Sequence, residues 1–157
     1  MYRIFTYLAF LIASTVSSQS SMSPQQIEVK KTIETFFDGF HKGDTTMMKS
    51  VMIDKVVMQT AFINKEGEGV LKDDGGPDNL LNAIANRPAD QKWDERLTDF
   101  SIQVDANMAN AWVDYEFWYN DQFSHCGVNS FQLVKTEGKW RIIYLIDSRR
   151  RSTCDKG

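Results

Sequence analysis

The stretch YEFWYNDQFSHCGVNSFQLVKTEGKWRIIYLIDSRR, residues 115–150, is rich in aromatic and β-branched residues and is interrupted twice by polar turn residues. Asn120-Asp121 and Glu137-Gly138 are typical of the short turns that join neighbouring antiparallel strands. This pattern predicts three consecutive strands, over residues 109–119, 123–135 and 139–149. The meander decides the fold, because a sheet with so many apolar residues must be covered by other elements.

The preceding residues supply those elements. Ser23-Pro24, Asp44 and Pro77 are typical of helix N-termini, and apolar residues follow them at helical spacing. Further strands are predicted over residues 56–63, 69–72 and 95–104. The sequence therefore predicts an α+β fold in which about three helices on the N-terminal side pack on a strongly bent antiparallel sheet.

Size and charge restrict the function further. The chain has 157 residues, of which 42% are hydrophobic, and this is enough for one domain with a core. A formal net charge of -3 argues against nucleic acid as a partner. The sequence has no P-loop, dinucleotide fingerprint or zinc-spaced set of cysteines and histidines, so we predict neither a metal nor a cofactor.

The N-terminal segment has the order of a secretory signal peptide. Arg3 precedes an apolar run, Ile4 to Ala13, which is followed by small polar residues and is too short to span a bilayer. We predict a signal peptide over residues 1–18 and a single domain over residues 19–157, secreted or periplasmic and without a membrane attachment after cleavage. The alternative is a short apolar helix packed on the domain.

The order of elements, together with GDTTMMKSVM at residues 43–52 and the last strand, resembles the nuclear transport factor 2-like superfamily of cone-shaped α+β domains. Within it the chain resembles exported bacterial members described as SnoaL-like or putative lumazine-binding. The matching pattern consists of Tyr115, Phe117, His125, Gly127, Phe131, Leu133, Trp140, Ile142, Asp147 and Arg149. The resemblance implies the fold but does not select an activity, because the superfamily includes isomerases, cyclases, dehydratases and binding or dimerisation modules.

Strand alternation divides the meander into two faces. Two-residue turns would place Glu116 opposite His125 and Asn129 opposite Ile146. One face then carries Trp112, Asp114, Glu116, Trp118, His125, Asn129, Phe131, Trp140 and Tyr144. The other carries Val113, Tyr115, Phe117, Val128, Ser130, Gln132, Ile143, Leu145 and Asp147. A β-bulge in either hairpin would exchange these assignments, so the face that lines a pocket stays open at this point.

Aromatic walls with a few polar groups are typical of small-molecule sites. The candidate ligand-binding residues are Trp112, Tyr115, Trp118, Asn129 and Tyr144. We expect a small, partly aromatic or apolar ligand of unknown identity. The functional prediction is an exported binding domain with this pocket in its cone.

The alternative is a cofactor-independent isomerase, cyclase or dehydratase. His125 could act as a general base oriented by Glu116, or the two could form an ordinary cross-strand hydrogen bond. Asp147 could act as a base in an apolar cavity, as the resemblance to isomerases and cyclases implies, or it could form an ion pair with Arg149 or Arg150. A third possibility is an accessory module that dimerises and binds no ligand.

Both faces of the meander are too apolar to be exposed to water. Helices can cover only one of them, so we predict a homodimer that forms through the sheet. The face expected to be buried in this dimer carries Tyr115, Phe117, Val128, Ile143 and Leu145.

The two cysteines are the remaining candidates for chemistry. Cys126 and its neighbour His125 point to opposite faces of the strand, which argues against a catalytic Cys-His pair. Export would permit a disulfide between Cys126 and Cys154. The turn places Cys126 opposite Arg149, however, and an extended tail would overshoot by about 17 Å. The bond therefore requires the tail to curl back.

Overall fold

The computed structural model describes residues 21–151 and 154. The predicted helices and strands are present there, with boundaries that differ from the predicted ones by only a few residues. Their bounds are α1 (Pro24–Lys42), α2 (Thr45–Ser50), β1 (Met52–Ile63), β2 (Gly69–Asp73), α3 (Pro77–Ala85), β3 (Trp93–Asp105), β4 (Met108–Tyr119), β5 (Gln122–Thr136) and β6 (Lys139–Arg150). The α+β prediction is confirmed.

Helix α1 begins and ends at the residues that its sequence indicates. The Ser23 hydroxyl accepts a hydrogen bond from the Gln26 backbone amide, and the Gln26 side chain accepts one from the Ser23 amide, which completes a capping box. Gly43 ends the helix with φ of 74°, a left-handed conformation that glycine adopts without strain. The face that packs on the sheet carries Val29, Ile33, Phe36, Phe37 and Phe40.

The six strands form one sheet in the order β2-β1-β6-β5-β4-β3. Neighbouring strands are antiparallel, with one exception: β1 pairs parallel to β6. The sheet is therefore mixed rather than wholly antiparallel. This pairing places the end of β6 beside the end of β1, with Asp147 opposite Thr60. Asp74, in the loop before α3, also lies close to Thr60.

Each of the two long hairpins contains a β-bulge. Between β4 and β5 the register shifts between Phe117 and Trp118, so that Phe117 rather than Glu116 pairs with His125. Between β5 and β6 the register shifts between Gln132 and Leu133, so that Asn129 pairs with Asp147 rather than with Ile146. The assignment of faces from simple two-residue turns was wrong, because each bulge inserts one extra residue and exchanges the faces beyond it.

The bulges gather apolar and polar residues on the face that the helices cover. The rings of Phe36 and Phe37 from α1 lie edge-on to Phe131, with centroids 6.3 and 6.2 Å apart. The fully buried core around them includes Val29, Ile33, Met48, Val113, Leu133 and Ile142. Beyond this core the same face continues toward the ends of β4 and β6 and carries polar residues there.

A disulfide links Cys126 of β5 to Cys154, with their Cα atoms 5.9 Å apart. Cys126 pairs with Arg150 rather than Arg149, because the bulge in this hairpin moves the register by one residue. Cys154 therefore lies back beside β5, which was the condition that the bond required. The link lies on the face of the sheet opposite the helices, since it starts from the strand position next to His125.

The predicted signal peptide, residues 1–18, lies outside the described residues, and its cleavage stays a prediction. No helix within residues 21–151 is long and apolar enough to cross a membrane.

Candidate functional site

A cavity of about 350 Å³ lies between α1, α3 and the sheet, next to the core. Its volume is in the range of small-molecule sites. Its apolar lining consists of Phe36, Phe37, Phe40, Met58, Leu80, Trp93, Phe117 and Leu145. Its polar lining consists of Gln59, Asp74, Asn79, Glu95, Tyr115, His125, Asn129, Asp147 and Arg149.

Asp147 is held by several partners at once. Its Oδ2 accepts a hydrogen bond from Nε of Arg149 at 2.6 Å, and its Oδ1 lies 2.6 Å from the hydroxyl of Thr60. The Thr60 hydroxyl also lies 3.0 Å from Oδ2 of Asp74, but its single hydrogen serves one carboxylate at a time. Of the two alternatives for Asp147, the structure contains the ion pair with Arg149. That pair holds the charge of Asp147 in a fixed position.

The Tyr115 hydroxyl is the polar group of β4 in this cluster. It lies 3.1 Å from the backbone carbonyl of Ser148 and 3.4 Å from Oδ2 of Asp147, and it can donate its hydrogen to either. Burial is the main cause that raises the pKa of Tyr115 above its ordinary value, and the carboxylates of Glu95 and Asp147 add to it. Tyr115 is therefore a neutral hydrogen-bond donor at physiological pH.

Glu95 brings a third carboxyl group into the cavity, besides those of Asp74 and Asp147. Its Oε1 accepts a hydrogen bond from Nδ2 of Asn129 at 2.7 Å, and Asn129 itself is buried. Burial of the carboxyl group raises the pKa of Glu95 to about 7, and the negative charge of Asp147 also raises it, against the opposing effects of Asn129 and Arg149. Glu95 as a whole is half-buried, and it lines the cavity.

His41 at the end of α1 fixes the position of Glu95. Nε2 of His41 accepts a hydrogen bond of 2.9 Å from the backbone amide of Glu95. Burial lowers the pKa of His41, and an acceptor Nε2 requires the neutral ring with its proton on Nδ1. One of the two histidines thus serves to attach the start of β3 to the first helix.

His125 lies among aromatic rings at the polar end of the cavity. Its ring centroid is 5.0 Å from that of Phe117 and 5.8 Å from that of Tyr115, and its Nδ1 lies 3.1 Å from the hydroxyl of Ser124. Burial, with a further contribution from the positive charge of Arg149, lowers the pKa of His125 to about 4. The imidazole is therefore neutral near pH 7 and is a weak base there.

The fold around this cavity has known relatives. The family model for putative lumazine-binding proteins matches residues 24–144.

The chain belongs to the putative lumazine-binding family.

Solved structures show that this domain has the nuclear transport factor 2-like fold. A nuclear transport factor 2-like protein from Shewanella baltica is 17% identical, with a TM-score of 0.57 over 84% of this chain and 100% of that chain. One from Cytophaga hutchinsonii is 11% identical, with a TM-score of 0.62 over 82% of this chain and 100% of that one. At these identities the likeness shows the fold alone. No curated protein has significant sequence similarity to the chain.

The cavity brings together four of the eight residues proposed from sequence: Tyr115, His125, Asn129 and Asp147. The other four, Trp112, Glu116, Trp118 and Tyr144, do not line it. They lie on the opposite face of the sheet, because the bulges separate them from His125 and Asn129.

The four excluded residues have other neighbours. Glu116 pairs with Cys126 and accepts a hydrogen bond from Nε1 of Trp118, so the proposed arrangement of Glu116 orienting His125 was wrong. The Tyr144 hydroxyl donates to Oε1 of Gln59, and Trp112 is 53% exposed.

Sequence reasoning missed Glu95, Thr60 and Trp93 as components of the site. Glu95 was taken only as the first residue of a strand. Strand alternation contains the missing signal, since Trp93, Glu95 and Leu97 recur at every second position and share one face. A carboxylate between two apolar residues on the inward face is a candidate for a functional group. Within residues 21–151 and Cys154, no cluster of histidine, cysteine and carboxylate side chains could hold a metal ion.

Proposed function

We propose that this domain binds a small, flat, largely apolar molecule in the cavity between α1, α3 and the sheet. The observation that carries the proposal is the composition of the cavity: aromatic rings on one side and a fixed set of hydrogen-bonding groups at one end. Aromatic walls provide affinity for an apolar ring system, and a few polar groups orient it. Membership in the family described as putative lumazine-binding supports the same class of ligand.

The contacts within the cavity favour binding over turnover by the two bases proposed from sequence. Asp147 is paired with Arg149 and hydrogen-bonded to Thr60. The carboxylate would have to leave Arg149 before it could take a proton from a bound molecule. His125, with a pKa of about 4, holds protons too weakly to act as a general base near neutral pH.

Filling the cavity is expected to abolish ligand binding. Leu80 lines the cavity from α3, so Leu80→Trp should lower the affinity for 2-methoxynaphthalene at least about tenfold, the equivalent of about 1.4 kcal/mol. Calorimetric titration measures the affinity, and circular dichroism checks the fold. Leu71→Trp is the matched control, because Leu71 is exposed on β2 and does not line the cavity. Unchanged binding in Leu80→Trp, or no saturable binding to the wild type, would contradict the proposal.

The domain acts outside the cytoplasm, in the periplasm or after secretion. Two observations support this location. Residues 1–18 have the order of a secretory signal peptide, with a basic residue, an apolar run and then small polar residues. The disulfide between Cys126 and Cys154 is of the kind that persists in oxidising compartments.

The domain forms a homodimer through the outer face of its sheet, defined here as the face opposite the helices. The predicted interface residues Tyr115, Phe117 and Leu145 instead face the cavity or the core. The outer face has its own apolar patch. It includes Val57, Trp112, Tyr144 and Ile146, of which Trp112 is 53% and Val57 is 45% exposed. Exposed aromatic patches of this kind are typical of protein interfaces.

A charge at the centre of the outer face is expected to separate the dimer. Trp112→Glu should convert the dimer to a folded monomer at micromolar concentration, because a buried carboxylate without a partner opposes association. Light scattering provides the molar mass. Ile27→Glu on the exposed side of α1 is the control and should remain dimeric. A monomeric wild type would refute the proposed interface.

A further inference from the structure

Glu95 has one carboxyl oxygen that the protein leaves unused. Oε1 accepts the hydrogen bond from Asn129, and no hydrogen bond to Oε2 is found among residues 21–151 and 154. Oε2 is not one of the fully buried polar atoms that lack a partner, so it is open to the cavity that Glu95 lines. A carboxylate can accept about four hydrogen bonds, and a molecule that displaces water from Oε2 must supply a donor in its place or leave the oxygen unsatisfied.

The other charged and titratable groups near Glu95 are already engaged. From β6, Asp147 and Arg149 neutralise one another. From β4, Tyr115 donates to the Ser148 carbonyl or to Asp147. From α1, His41 is neutral and accepts the backbone amide of Glu95. Glu95 is thus the carboxyl group at this end of the cavity that has no ion-pair partner among the described residues.

The surroundings of Glu95 determine what can supply a donor. Trp93 lies two residues before it on β3, and Phe117 is its direct neighbour on β4; both rings line the cavity. A ligand that reaches Oε2 must pack against these rings. It must also avoid the guanidinium of Arg149, which is committed to Asp147 and Thr60.

We propose that Glu95 selects the ligand: the cavity takes a flat aromatic or conjugated molecule that carries an O–H or N–H donor on one edge, and that donor binds Oε2 of Glu95. This inference rests on the proposed function and adds a specificity-determining residue and a ligand class to it. A molecule of the same shape without the donor packs on the same rings but leaves the carboxylate unsatisfied.

The ionisation of Glu95 makes this selection dependent on pH. Because the pKa of Glu95 is raised to about 7, the group is mostly a carboxylate one pH unit above that value and mostly a neutral acid one unit below it. The carboxylate accepts from a donor ligand, whereas the neutral acid can itself donate to an ether or carbonyl oxygen. Affinity for a donor ligand should therefore rise as the pH passes upward through about 7. Below that pH, the preference for a donor ligand over an acceptor ligand should shrink.

The experiment compares 2-naphthol with 2-methoxynaphthalene, which have the same ring system and differ in the donor. At about one pH unit above the pKa, wild type should bind 2-naphthol about tenfold more tightly, as expected for one hydrogen bond to a charged group. Glu95→Gln should lose both the preference and its pH dependence. Glu34→Gln, on the exposed side of α1, is the matched control and should retain both.

The outcomes separate this inference from the proposed function. If neither compound binds wild type, both proposals fail. If both bind equally at every pH, Glu95 does not select the ligand, while the binding cavity stands. If Glu95→Gln keeps the preference, another residue provides it and the assignment is overturned. The pH profile of wild type decides the question even if Glu95→Gln does not fold.

Discussion

Gly127→Ala is expected to destabilise the domain by about 3 kcal/mol or more. A Cβ atom at this position of β5 would overlap with the backbone carbonyl of Ser148 on β6 and would lie 2.9 Å from Cε1 of Tyr115. The main obstacle is backbone, so a change of rotamer cannot relieve it. Urea unfolding, followed by tryptophan fluorescence, measures the free energy of unfolding.

The matched control is Gly69→Ala on β2. No heavy atom lies within 4 Å of a Cβ atom built at Gly69, and its φ is not positive. We expect its free energy of unfolding to stay within about 0.5 kcal/mol of wild type. A Gly127→Ala variant as stable as this control would mean that β5 and β6 do not approach one another as closely as described.

Loss of the disulfide is expected to cost about 3 kcal/mol. The bond joins residues separated by 28 positions, and a cross-link over a loop of this size mainly restricts the unfolded chain. Cys154→Ser is the preferred variant because Cys154 is exposed, so its replacement leaves the core intact. Reductant should lower the stability of wild type to that of the variant and should leave the variant unchanged. Equal stability of oxidised wild type and Cys154→Ser would contradict this expectation.

Non-reducing peptide mapping of protein from the native host tests the same bond together with export. A linked peptide containing Cys126 and Cys154 is expected in material that lacks residues 1–18. Material that retains those residues and contains free thiols would contradict both the cleavage and the location proposed here.

The fold could be predicted from sequence because its signals are local and redundant. The capping box at Ser23, the stop at Gly43 and the turn at Glu137-Gly138 each indicate an element boundary without reference to the rest of the chain. Errors of one or two residues at these boundaries do not change which elements form. The parallel pairing of β1 with β6 has no such local signal, because it joins distant segments.

The site was harder to predict because it depends on which face of the sheet each strand residue points to. One extra residue near Ser124 and one near Ile143 decide which side chains meet across the sheet. Periodicity identifies a strand that contains a bulge but does not locate the inserted residue. His125 and Asn129 line the cavity, yet Glu116 and Trp112 were assigned to the same face as these two residues through an error of one position. Glu95 was missed because its partners come from β5 and α1, far away in sequence.

The parallel contact between β1 and β6 also bears on when the domain can fold. Thr60 of β1 and Asp147 of β6 are 87 positions apart, so β1 cannot find its inner neighbour until nearly the whole described chain has been synthesised. Until then the phenylalanines of α1 can cover only the part of the sheet that β3 to β5 form. Contacts of such long range slow folding and expose apolar surface to aggregation. Folding this late keeps the chain unfolded during synthesis, which is the state that the export proposed above would require at a translocation channel.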